Sequence, residues 1–247
     1  ASRNQRNFHG VCATLLNGRS NYFTLSRSMN ADILQSDGGF ASTSFPVVSG
    51  YHCEDVRIEG ITIDGNRAEN PTVVDGCRAA GIFLYRGDRA VIMGCTVRGY
   101  SGDGISFQQS NDVLVESCVV EKCAGHGLHP GSGSQRPTVR RCRAIGNDED
   151  GFFFCWRVRG GLAEGNHLEG NGGQGMSIGH KDSDNAVRGN TVIGNRRGGV
   201  RCPGRRAPRR AAPTSSVRMR SPACASCARA PRCSCRCTRC SRAGACA

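Results

Sequence analysis

The sequence predicts an all-β fold, a right-handed single-stranded parallel β-helix with coils of 23–24 residues. Three observations carry this. First, five segments open on Gly and an apolar residue: Gly81-Ile82, Gly104-Ile105, Gly127-Leu128, Gly151-Phe152 and Gly175-Met176. With Gly199-Val200 as a sixth, the intervals are 23, 23, 24, 24 and 24 residues. Second, other columns keep the same step: Cys95, Cys118, Cys142, Asn166 and Asn190, then Tyr100, Cys123, Asn147, Asn171 and Asn195. Fixed-period self-similarity is the mark of a solenoid. Third, the period is shorter than the roughly 30 residues of a βαβ unit. Its apolar residues alternate between Gly and Asn, as in short strands joined by turns.

The elements follow in order. Residues 1–51 are less regular and are expected to form an N-terminal cap, because a solenoid needs its end covered. Residues 52–200 form the stack. No coil buries its own inner face, but stacked coils about 4.8 Å apart enclose a continuous core. Ile92, Val115, Val139, Ala163 and Val187 lie three residues before the Cys/Asn column, and Val97, Val120, Ala144, Leu168 and Val192 two after it. Both sets are expected inside. Cys95, Cys118 and Cys142 read as an inward thiol ladder, since a free Cys packs as a small hydrophobe. The Asn columns are expected at left-handed bends, with amides bonding along the stack.

Residues 201–247 differ in kind. They hold 12 Arg, no Lys, no acidic residue and eight of the 16 Cys. Without Leu, Ile, Phe, Tyr or Trp they cannot bury a core that offsets their ordering entropy. Three readings stand: a thiolate metal module on Cys224-x2-Cys227 and Cys237-x2-Cys240, a basic polyanion-binding tail, or GC-rich DNA translated out of frame. The favoured expectation is a disordered or frameshifted tail. The net charge of +13 is mostly this segment, because 33 less 12 leaves 21 basic against 20 acidic residues. The body therefore offers no basic stripe for nucleic acid. No apolar run approaches the roughly 18 residues of a membrane-spanning helix. The first residue is Ala, which reads as a fragment or a processed product.

Since a β-helix core is inert, chemistry is expected on outward positions. Counting the column Gly as zero, position +2 points outward and carries Phe83, Ser106, His129, Phe153 and Ser177. Position +5 places Trp156 beside His180, and position +6 places Arg157 beside Lys181. An exposed Trp is a platform for a sugar ring. Stacked cations call for an anion or for carboxylates such as Asp182 and Asp184. Position −1 carries Asp103, His126 and Asp150. Strand parity points that column inward unless a turn intervenes, and Asp-Gly before a strand is also ordinary turn chemistry.

These columns resemble the right-handed β-helix proteins of the pectate-lyase-like superfamily over roughly residues 52–200, with Asp55–Asn66 similar to an entering coil. Cys123-Ala-Gly125-His126-Gly127, with Asp103 one coil earlier, resembles the His-bearing motif of polygalacturonase-type glycoside hydrolases. The chain departs from that motif at Gly102, at Arg78-Ala79-Ala80 and at Arg157-Val158-Arg159. The resemblance implies a carbohydrate-active protein, extracellular or periplasmic, working on an acidic polysaccharide by lyase, hydrolase or epimerase chemistry. The alternative is a non-catalytic, adhesin-like glycan binder. For β-elimination or C5 epimerisation, His129, His180 or Lys181 would take the C5 proton while Arg157 holds the carboxylate. For hydrolysis, Asp150, Asp182 and Asp184 are the carboxylates. Trp156, Arg157, His126, Asp103 and Asp184 would bind substrate. The pattern fixes no cofactor and leaves Ca²⁺ open. For Ca²⁺, Asp182 and Asp184 supply two of the six to eight oxygens it takes.

Overall fold

The computed structural model describes residues 15–19, 22–26, 28, 46–71, 73–74, 77 and 79–202, with strands at 215–220 and 235–236. The chain divides into two compact units, residues 1–44 and 45–247. In the first, Leu15–Arg19 and Tyr22–Leu25 pair antiparallel across a bulge between Leu15 and Asn17. Most of the expected cap lies outside the described residues.

The second unit is an all-β parallel solenoid. Its long face stacks Val48–Glu54, Ala80–Asp88, Asp103–Gln108, Leu128–Pro130, Phe152–Phe154, Gln174–Ile178 and Gly198–Arg201 in chain order. The other two faces are built mostly from three-residue strands, such as Leu114–Glu116 and Val119–Glu121. They join where Ala186–Ile193 contributes to both. Partners fall one period apart: Val91 pairs with Leu114, Leu114 with Thr138, Thr138 with Leu162, and Leu162 with Ala186. The fold is thus a parallel β-helix in the register that the repeat predicts.

Its core is the set of repeating columns. Ile82, Ile105, Leu128, Phe152 and Met176 meet Ile92, Val115, Val139 and Ala163 on the second face and Val97, Val120, Ala144, Leu168 and Val192 on the third. Each large aliphatic or aromatic side chain buried here stabilises the fold by roughly 1.5–3 kcal/mol. The Gly column is a packing requirement. A Cβ on Gly104 would overlap Val120 Cγ1, and one on Gly175 would overlap Val192 Cγ1.

The bends carry two ladders. Asn190 Oδ1 accepts the Asn166 N–H at 2.9 Å, and Asn166 Oδ1 accepts the Cys142 N–H at 2.9 Å. Asn195, Asn171 and Asn147 repeat the pattern up to the Cys123 N–H. The thiol ladder continues the first column, where the Cys118 N–H meets Cys142 Sγ at 3.4 Å. Cys95, Cys118 and Cys142 are fully buried, and the hydrogen bond with the neighbouring Cys142 thiol, with burial behind it, pushes Cys118 up. One expectation is corrected: the Asn residues are not the left-handed ones. The positive φ falls on the residue before each, at Gly146, Gly165, Gly170, Gly189 and Gly194, and at Ser117, Lys122 and Arg141 in earlier coils. The left-handed residue turns the chain so that the next side chain points inward, where an amide can satisfy backbone groups of the coil beside it.

The stack is regular except at its first step. Thr62 pairs with Thr96, 34 residues on, whereas Thr96 pairs with Val119, 23 on. The eleven extra residues form an excursion between Asp64 and Ala80. Its described residues lie against later coils: the Val74 N–H donates to Ser101 O at 2.7 Å, Ser101 Oγ donates to Asn70 O, and Arg67 pairs with Asp148. Of the tail, Ser215–Arg220 pairs parallel with Ala186–Ile193, and Cys235–Arg236 with Ser215 and Ser216. Cys224, Cys227, Cys237 and Cys240 lie outside the described residues.

Candidate functional site

Two groups of functional side chains flank the long face, and they differ in access. The first lies on its outer side. Asp103 opens its strand with the side chain turned along the stack, so that Oδ1 accepts the His126 N–H at 2.7 Å and Oδ2 meets His129 Nδ1. The next rungs repeat this: His126 Nδ1 accepts the Asp150 N–H at 3.2 Å, and Asp150 Oδ1 accepts the Gln174 N–H at 2.7 Å. Since Nδ1 of His126 accepts, its Nε2 carries the proton and donates to Glu149 at 2.9 Å. Phe153 stacks on His129 with centroids 5.2 Å apart and tilts against His126 at 4.8 Å.

This group corrects the parity argument. His129, expected in solvent, is 1% exposed, and Ser106 and Phe83 in its column are also buried. The column does leave the core, but other side chains cover it. Phe153 stacks over His129, and the excursion brings Cys77 beside it. Asp103, His126 and Asp150 are buried as well, each bonded to a backbone N–H of the next coil. All four groups are covered by protein, so the substrate-binding roles expected of Asp103 and His126 and the catalytic roles expected of His129 and Asp150 do not have the solvent access that the sequence reading assumed.

The second group follows the long face, where the chain leaves Phe154 and Ile178. The stacking sets Trp156 over His180, with ring centroids 5.9 Å apart at 66°. The Arg157 N–H donates to His180 O at 3.0 Å. Arg157 and Lys181 take matching left-handed conformations, φ 66° and 61°, which turn both outward on successive coils. Trp156 is 42% exposed; Arg157, His180, Lys181 and Asp184 are exposed too. Asp182 is half-buried behind them. Its Oδ1 accepts the Val158 N–H at 2.8 Å and its Oδ2 the Gly179 N–H at 2.6 Å. Burial outweighs these bonds and the Arg157 charge, pushing its carboxyl up to about 6.

Sequence reasoning brought Trp156 to His180 and Arg157 to Lys181 correctly. It missed Cys77 and Cys155, which flank His129. Cys77 lies in the excursion, outside any repeat column, so no spacing pointed to it.

The chain matches the family described as Right handed beta helix region over residues 46–207, and it belongs to that family. No curated protein matches it. Among solved structures it is similar to a mutant of the periplasmic alginate epimerase AlgG, at 16% identity and a TM-score of 0.44 over 69% of this chain. The match spans 40% of that chain, well under half its length. Two trypsin-treated forms of QnrB1, a plasmid-mediated fluoroquinolone resistance protein, match over 59% of this chain. They reach TM-scores of 0.12 and 0.16 at 15% and 17% identity, over 84% and 76% of their own chains.

Proposed function

We propose that this is a carbohydrate-active β-helix, extracellular or periplasmic, that engages an acidic polysaccharide on the shelf formed by Trp156, Arg157, His180, Lys181 and Asp182. One observation carries the reading: an exposed indole edge-on to an exposed imidazole, with two cations turned out beside them on successive coils. An indole face packs against the apolar face of a sugar ring. Arg157 and Lys181 supply a fork and a point charge for a uronate carboxylate. In lyase or epimerase chemistry, His180 or Lys181 takes the C5 proton. In either lyase or hydrolase chemistry, Asp182 is the acid that protonates the leaving oxygen, because a carboxyl raised to about 6 holds its proton to higher pH than an ordinary aspartate does.

A second reading has its own support. Both oxygens of Asp182 already accept backbone N–H groups, which suits a positioning role and a shelf that binds without turnover. Incubation of the full chain with uronate and neutral polysaccharides separates the readings. Unsaturated ends identify a lyase, new saturated reducing ends a hydrolase, altered uronate stereochemistry an epimerase, and retention without products a binder. Failure to retain or convert any polymer overturns the proposal.

A further inference from the structure

The covered group contains a constellation that the polysaccharide reading does not use. Cys77, His129 and Cys155 each bring one ligand atom within 4.8 Å of the others. His129 and Cys155 are buried, Cys77 is half-buried, and both cysteines are thiols. We propose that Cys77, Cys155 and His129 bind one zinc-class divalent ion through two thiolates and an imidazole, with a fourth position left for water or a small ligand.

The donor set selects the metal. Two sulfurs and a nitrogen suit Zn²⁺ or a similar borderline-soft ion, and not Ca²⁺ or Mg²⁺, which take oxygens. Bond lengths of about 2.3 Å to sulfur and 2.0–2.1 Å to nitrogen put tetrahedral ligand atoms about 3.5–3.8 Å apart. The three atoms are thus within about 1 Å of closing on an ion.

The surroundings are those of a metal-binding histidine. Asp103 Oδ2 holds His129 Nδ1, so a metal would take Nε2, and the carboxylate fixes the ring and raises its basicity. Asp103 is itself fixed by the His126 N–H at 2.7 Å, and Phe153 stacks on the ring. Binding Zn²⁺ displaces two thiol protons, forms two Zn–S bonds and one Zn–N bond, and changes no oxidation state. Cys77 rides on the excursion, so the ion would also pin that segment to coils it meets nowhere in sequence.

The test must exclude the tail thiols. The reduced, metal-free full chain, with serine at cysteines 202, 224, 227, 233, 235, 237, 240 and 246, is titrated with Co²⁺. The expected result is one equivalent bound, with thiolate-to-cobalt charge-transfer absorption and tetrahedral d–d bands that Zn²⁺ abolishes. Cys77→Ser and Cys155→Ser should each diminish the charge-transfer band, and together remove it. Asp103→Asn should keep the spectrum but weaken binding about 10–100-fold. Alkylation of the parent chain needs no further variant: Zn²⁺ should protect Cys77 and Cys155 and leave half-buried Cys53 unchanged. A charge-transfer band that survives the double substitution, a folded chain that takes up no Co²⁺, alkylation indifferent to Zn²⁺, or a Cys77–Cys155 disulfide in the metal-treated chain would each overturn the assignment. None of these outcomes depends on a polysaccharide, so this inference and the proposed function fail separately.

Discussion

The covered group around Asp103 and the exposed shelf around Trp156 are built from the same residue types, yet they live in different solvents. Asp103 is completely buried and His129 1% exposed, whereas Trp156 is 42% exposed. In both, a side chain projects from a strand or bend away from the core. The difference is what lies above. Phe153 and Cys77 of the excursion cover His129, whereas Trp156 and His180 meet mainly one another and water. Outward from the core is therefore not the same as outward to solvent. A β-helix decides the second question by where it inserts extra chain.

That contrast sets an order of effects on stability. The largest is expected from Asp103→Ala. It strips the His126 N–H of its acceptor and His129 of its carboxylate, all in a buried setting. Leaving a buried donor unsatisfied costs about 1–3 kcal/mol, and Asp103→Ala orphans two buried groups at once. Urea unfolding should show a loss of about 2–6 kcal/mol from the two orphaned groups, and a loss below about 1 kcal/mol would mean that the covered group does not anchor the stack. Asn171→Ala should follow. Its Oδ1 accepts from the Asn147 backbone and side chain, and its Nδ2 donates to Ala144 O and Asn195 Oδ1. About 2–4 kcal/mol is expected from two or more orphaned buried groups, read by the same urea midpoint.

What could be read from sequence divides along the same line. The coil period, the strand register, the Cys and Asn columns and the Trp156–His180 pair were legible, because each depends only on translating one coil onto the next. The cover over His129 was not, because it depends on an excursion that breaks the period once. The left-handed position was misassigned to Asn for a local reason: Gly165 and Gly189 precede Asn166 and Asn190 in some coils, but Ser117 and Arg141 fill the same slot in others. The column therefore hides its conformational preference. Cys77 carries no spacing signal, because it lies in the excursion, and without it Cys155 has no sulfur partner in its column.

Asp182 lies between the two regimes, half-buried at the back of the shelf, and its effect on stability should depend on pH. Its folded carboxyl is raised to about 6 by burial. The folded state therefore binds a proton more readily than the unfolded chain does. Its contribution is full below about pH 4 and is lost as pH rises through about 6. The shift corresponds to about 3 kcal/mol at most, and partial exposure reduces this to the order of 1 kcal/mol. The unfolding free energy of the unmodified chain should fall by that amount from pH 4 to 7 relative to Asp182→Asn, which should lack this slope. Parallel profiles would show that solvent reaches Asp182 as freely as it reaches Trp156.

The smallest effect on stability, and the sharpest on function, is expected from Trp156→Ala. The indole meets the His180 ring and keeps 42% of its surface exposed, so truncation removes a partly buried contact and not a core side chain. Unfolding free energy should fall by no more than about 1 kcal/mol from that of the unmodified chain. Retention of a uronate polymer should nevertheless fall about tenfold, which is about 1.4 kcal/mol, while Trp156→Phe should recover much of it because the aromatic face remains. If Trp156→Ala instead unfolds the chain as Asp103→Ala is expected to, the two regions do not differ in kind. If it leaves both stability and retention untouched, the indole is exposed without purpose, and the glycan must be sought on another side of the stack.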